Sequence, residues 1–213
     1  MGASLQNINA IYHGDCREYL SHIENNSVDM ILTDPPYGNG ASMKGNNQHI
    51  VSAVLPEFYR VLKQDGAIYM FSSFKYLNEW YYRFQTYFKL VNLLIWNKER
   101  HSGQFTGENF GYSYEFIFYG TKGTHKLNKV RNDVLNYKRM NFLEHPTRKP
   151  LELCVELIEM STQKGQVVLD PFLGSGTVAE ACKITGRNFL AAEIELGYVA
   201  LANKRLLTAT HPT

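Results

Sequence analysis

Thr33-Asp34-Pro35-Pro36-Tyr37 and Leu169-Asp170-Pro171-Phe172-Leu173-Gly174-Ser175-Gly176-Thr177 each set a carboxylate directly after an apolar run and follow it with a stiff or glycine-bearing turn. The Asp34 carboxylate and the Pro35 carbonyl set two acceptors side by side, able to take both hydrogens of an amino group. Pro36 stiffens the loop and removes an N–H that would compete for those acceptors, and Tyr37 adds a ring face for stacking. The glycine turn has other uses. No Lys follows its second glycine, so it lacks the cation of a nucleotide-binding phosphate loop. Its glycines permit positive φ and close backbone approach, while Asp170 supplies negative charge, which together suit a cationic ligand with a short polar tail.

These groups need a scaffold that brings strand ends together. The run 28–33 reads as a buried parallel strand, and 167–169 as a second one that leads into the glycine turn. Strand 8–12 precedes Asp15, and strand 189–192 precedes Glu193. Four expected strands are thus followed closely by an acid, and in an open parallel sheet Asp15, Asp34, Asp170 and Glu193 gather along the carboxyl edge, where doubly wound folds bind ligands. Helical spacing marks 51–62, with Pro56 required either in the first turn or at a bend. Strand 67–71 and an aromatic-rich helix 74–88 come next. The runs 90–96 and 114–119 are expected to pair as a hairpin at the sheet edge, joined by a polar loop 97–112. Pro150 starts a helix with the stripe Leu151, Cys154, Val155 and Ile158. Strand 167–169, helix 176–184, strand 189–192 and helix 196–206 complete a βαβα unit. The fold class is therefore α/β: a mostly parallel sheet, an antiparallel hairpin at one edge, and helices on both faces.

A chain of 213 residues with 44% hydrophobic content suits one domain, 1–213. Its net charge is only +2, but 122–149 carries eight Lys or Arg against Asp133 and Glu144, a local excess of +6 that leaves the remainder acidic. Lys122, Lys126, Lys129, Arg131, Lys138 and Arg139 are read as a track for phosphates, with Lys44 and Arg100 reaching from two polar loops. Asn128, Asn132, Asn136 and Tyr137 are within reach of base edges on such a track. Cys16, Cys154 and Cys182 show no paired spacing, so neither a zinc site nor a disulfide framework is expected, and no metal is invoked. The first residues carry no basic or apolar leader pattern, and no stretch is long and apolar enough to span a bilayer, so the expected location is the cytoplasm.

The pair of motifs resembles the DNA amino-methyltransferase family, which moves a methyl group from S-adenosylmethionine to an exocyclic amine of adenine or cytosine. The Asp-Pro-Pro-Tyr signature precedes the glycine motif, as in that family's permuted beta arrangement. The resemblance implies an S-adenosylmethionine-dependent methyltransferase fold, with Asp34, Pro35, Pro36 and Tyr37 catalytic and Tyr37 stacking on a base swung out of the duplex. It implies that Asp170, Phe172, Gly174, Ser175, Gly176 and Thr177 form the cofactor turn. Glu193 would meet the ribose hydroxyls, Asp15 with Cys16 the adenine ring, and Thr147 with Lys149 the cofactor tail. Target recognition is expected within 97–145. Double-stranded DNA is the implied partner, and relatives of this arrangement are often homodimers.

Asp rather than Ser at position 34 leans towards adenine N6, because cytosine-N4 members more often resemble Ser-Pro-Pro-Tyr. Three rivals stay open: a cytosine-N4 enzyme, an RNA adenine methyltransferase using the same loop on an unpaired base, and a catalytically silent DNA-binding protein. The last would be expected to carry a damaged motif, and both motifs are intact.

Overall fold

Eight strands form a single sheet in this computed structural model, which describes residues 7–36, 48–102, 107–108, 110–139 and 148–209, without the side chains of 48–49 and 100–102. In chain order the elements are β1 (Ile11–His13), α1 (Cys16–Ser21), β2 (Val28–Thr33), α2 (Gln48–Val61), β3 (Leu62–Ser72), a 3-10 turn (Phe74–Tyr76), α3 (Leu77–Tyr87), β4 (Lys89–Ser102), β5 (Tyr112–Thr121), β6 (Val134–Asn136), α4 (Leu151–Ser161), β7 (Val167–Asp170), α5 (Thr177–Thr185), β8 (Asn188–Glu193) and α6 (Leu196–Thr208). The strand order is β1-β8-β7-β2-β3-β5-β4-β6. Every neighbouring pair is parallel except β3–β5 and β5–β4, so β5 alone runs against the others.

Alternation along β3 shows how the sheet separates two cores. Ala67, Tyr69 and Phe71 point to the layer of α4, α5 and α6, whereas Ile68 and Met70 point to α1, α2 and α3. Burial on both faces is why β2 reads as a near-continuous apolar run. Leu157 and Ile158 of α4 and Phe58 of α2 are fully buried against opposite faces. Clothing both faces in this way leaves the strand ends as the place where polar groups collect.

Three expectations are corrected. The hairpin β4–β5 does not form the edge, because β6 lies outside it in parallel register with β4, Trp96 opposite Leu135. Leu135 is 1% exposed, and the Trp96 indole N–H donates to the Tyr137 carbonyl at 2.7 Å, so a three-residue strand is held by one buried side chain and one indole. The loop expected from 97 is strand as far as Ser102, since β4 and β5 keep pairing beyond the point where β3 stops at Ser72 opposite Phe116. The helix expected from 51 begins at Gln48, which puts Pro56 in its interior rather than its first turn. The span 97–145 therefore supplies two strands of the main sheet, β5 among them at its interior.

Candidate active site

Adjacent strands β2 and β7, with Met30 opposite Val168 and Ile31 opposite Leu169, bring their carboxyl ends side by side. The Thr33 hydroxyl donates to Asp170 Oδ1 at 2.8 Å, and the Phe172 amide donates to the same oxygen at 3.1 Å. One hydrogen bond thus joins the residue before Asp34 to the acid that opens the glycine turn. Burial pushes the Asp170 carboxyl up to about 7; the two donated hydrogen bonds oppose this, and the charges of Asp34 and Glu193 add to it. Pro35 is buried, and Asp34 and Pro36 are half-buried at the same edge.

The turn itself is anchored from β8. The Leu173 amide donates to the Ala192 carbonyl at 3.0 Å and the Gly174 amide to Glu193 Oε2 at 2.7 Å, while Glu193 Oε1 accepts from the Glu195 amide at 2.9 Å. Two backbone amides therefore fix the Glu193 carboxylate, which is 8% exposed. Gly176 has φ +88°, and a Cβ there would sit 2.7 Å from the Ala202 Cβ, so both backbone conformation and contact with α6 require glycine. The Arg205 guanidinium of α6 donates to the Ser175 carbonyl at 2.7 Å and to the Thr177 hydroxyl at 3.2 Å. It also pairs with Glu180, whose Oε2 lies 3.8 Å from Arg148 beside the start of α4.

Asp15 caps α1, its Oδ1 accepting from the Arg17 amide at 2.8 Å, and Arg17 covers the carboxylate at 2.5 Å. That hydrogen-bonded guanidinium holds the Asp15 carboxyl below its ordinary value. The side chain is thus engaged by its own helix, although β1 next to β8 does set Asp15 and the buried Cys16 beside Glu193. Lys149, expected at the cofactor tail, is paired with acids in this structure. Its ammonium pairs with Asp34 Oδ2 and lies 3.3 Å from Glu115 Oε2, while Glu115 Oε1 is 2.9 Å from Lys98 Nζ. Burial opposes the Lys149 charge, but Asp34 and Glu115 outweigh it and raise the pKa; burial likewise opposes the Glu115 charge, but Lys149 and Lys98 hold its pKa below the ordinary value.

The basic segment divides between the two edges of the sheet. Lys122, expected on phosphates, is buried: its ammonium donates to the carbonyls of Tyr59 (2.7 Å) and Leu62 (2.8 Å) and to Asn26 (2.8 Å), at the amino ends of the strands. Asn128 binds the Met160 and Thr162 carbonyls at the far end of α4, where Lys129 pairs with Glu159 and Lys126 is exposed nearby, whereas Arg131 pairs midway along α4 with Glu156, which also accepts from the Tyr137 hydroxyl. Lys122, Lys126 and Lys129 lie at the edge opposite Asp34, because α4 runs from Lys149 away from the site. Parallel β6 then returns the chain, and Tyr137 and Arg139 donate to the Asn97 and Lys98 carbonyls, which sets Lys138 and Arg139 at the site's own edge. Tyr37, Lys44 and Thr147, and the side chain of Arg100, lie outside the described residues.

Sequence reasoning missed Thr33, Lys98, Glu115, Glu180 and Arg205. One signal was present for Glu115: a lone acid in the otherwise aromatic and apolar run Tyr114 to Tyr119. Among the described residues no cluster of three or more His, Cys, Asp or Glu could hold a metal ion, and no helix is long and apolar enough to cross a membrane.

The N6/N4 DNA methylase family profile matches residues 28–204. Type II methyltransferase M2.MboI of Moraxella bovis is 30% identical over 241 residues, spanning 92% of this chain and 86% of the relative. DNA adenine methyltransferase YhdJ of Escherichia coli K12 is 27% identical over 250 residues, spanning 94% and 83%. The crystal structure of the M1.HpyAVI–SAM complex superposes with a TM-score of 0.76 at 27% identity, covering 92% of this chain and 98% of that one.

Proposed function

This chain belongs to the N6/N4 DNA methylase family, and we propose that it methylates adenine N6 within a short site in double-stranded DNA, using S-adenosylmethionine. The observation that carries the reading is the Thr33–Asp170 hydrogen bond, which fastens the amine-binding loop to the cofactor turn. Asp at position 34 favours adenine, and the similarity to an enzyme named for adenine supports it. Bound S-adenosylmethionine supplies a methyl group on an electron-poor sulfonium.

The residues present fit that cofactor. Glu193, fixed by two backbone amides, keeps lone pairs for ribose hydroxyls. Asp170 sets a titratable carboxyl under the turn, and the Gly174–Gly176 backbone lets a ligand approach without side-chain collision. Asp15 and Cys16 flank the adenine end through their backbone. Asp34 and the Pro35 carbonyl accept the two amine hydrogens, which frees the nitrogen lone pair for the methyl group that bound S-adenosylmethionine would supply. The proton that the nitrogen sheds passes to Asp34 and on to water. No covalent enzyme intermediate is needed. Tyr37 stacks on the extruded base. Lys138 and Arg139 contact phosphates at this edge, together with the β4–β5 arm.

The test is product identity. Duplex DNA incubated with the protein and S-adenosylmethionine, then digested to nucleosides and analysed by mass spectrometry, is expected to contain N6-methyladenine. N4-methylcytosine in its place would overturn the base assignment, and modification of RNA but not of duplex DNA would overturn the substrate.

A further inference from the structure

We propose that Lys149 is the positioning residue of the Asp34 carboxylate, held in an alternating chain Asp34–Lys149–Glu115–Lys98, and does not bind the cofactor tail. The proposal rests on the reading of Asp34 as the group that meets the amine, and it assigns a role to three residues outside the two motifs' acids and glycines.

The chain crosses four elements: Asp34 follows β2, Lys149 precedes α4, Glu115 belongs to β5 and Lys98 to β4. Lys149 and Lys98 are 9% and 4% exposed, and the four charges alternate to a net of zero. Burying such groups costs several kcal/mol each unless they are paired, so each member is held by the next. Lys149 also lies 5.0 Å from the Phe71 ring centre and 5.9 Å from that of Trp96, and Lys98 lies 5.7 Å from the Trp96 ring. The directions around the Lys149 ammonium are thus taken by two carboxylates and two aromatic faces. A cofactor carboxylate could reach it only by displacing one of them. Glu115 Oε2 is buried and stands 3.3 Å from the Lys149 ammonium, farther than Asp34 Oδ2, so the ammonium is aimed first at Asp34. By holding Oδ2, Lys149 fixes the plane of the Asp34 carboxylate as an acceptor of N–H.

Lys149→Met keeps the length of the side chain and removes the charge. In the full-length protein, single-turnover methyl transfer to duplex DNA is expected to fall about 100-fold while the S-adenosylmethionine Kd, measured by calorimetry, changes less than about threefold. Lys149→Arg is expected to keep the Kd at its wild-type value and to recover part of the rate; it also serves if Lys149→Met does not fold. A Kd raised tenfold or more in either variant, with the rate restored at saturating cofactor, would overturn the proposal in favour of a tail-binding Lys149. An unchanged rate in Lys149→Met would overturn it as well. Asp34→Asn separates the two layers of the argument: full activity there refutes the role of Asp34 itself, whereas an inactive Asp34→Asn beside an unaltered Lys149→Met refutes only the role given to Lys149.

Discussion

Asp170→Asn removes a carboxyl group that folding makes harder to ionise, from the ordinary 3.8 to about 7, and leaves an amide oxygen able to accept from Thr33 and Phe172. Because the folded pKa is the higher one, the native state binds the proton more tightly. The associated stability is fully present below the unfolded value and is lost as pH rises through the folded one. Integrating the linkage relation between those two pKa values gives a loss of about 2.5 kcal/mol between pH 5 and pH 8 for the protein without cofactor. Other titrating groups contribute alike to wild type and variant, so the difference between them isolates Asp170. Urea unfolding at pH 5, 6, 7 and 8 should therefore show wild-type stability falling relative to Asp170→Asn by roughly that amount. Cofactor binding should run the other way: a cation or hydroxyl donors beside Asp170 favour its ionised form, so wild-type affinity rises by up to about tenfold per pH unit below 7, while the variant's stays level. A wild-type minus variant difference constant to within about 0.5 kcal/mol across this range would refute the claim that burial governs this acid.

Gly176→Ala forces a Cβ into a backbone at φ +88° and to 2.7 Å from Ala202, and is expected to cost about 3 kcal/mol in chemical denaturation and to weaken cofactor binding. Lys122→Met strands three acceptors at the amino edge; it should destabilise by about 2 kcal/mol in thermal or urea melts yet leave the salt dependence of DNA binding at its wild-type slope. Lys138→Ala should lower the slope of log affinity against log salt by about 1, whereas Lys129→Ala should leave it alone, as fluorescence anisotropy with a duplex probe would record. An equal effect of both would put DNA on both edges of the sheet.

Strand runs such as Val28–Thr33 were legible because burial on both faces leaves an uninterrupted apolar stretch, and the two motifs were legible because acids, prolines and glycines sit at fixed offsets from those strands. β6 was not, since a strand of three residues with one buried Leu has no period to detect. The far half of β4 was missed for a related reason: beyond Ser72 of β3 the arm leaves the helical layers, and an apolar pattern has nothing to pack against. The charge run misled because a count of cations does not say which edge of a sheet the backbone follows. Lys122 carries the same charge as Lys138 but spends it on carbonyls. Lys149 shows the limit most sharply, for its motif fixed where it lies and not what its ammonium meets.

In the proposed function labour divides between two strand ends, the β2 loop handling the amine and the β7 turn holding the methyl donor. Measuring S-adenosylmethionine Kd and single-turnover transfer side by side on Asp34→Ala tests that division most directly. The expected result is transfer reduced below detection with a Kd within about threefold of wild type. Cofactor affinity lost together with activity, or activity retained, would contradict it.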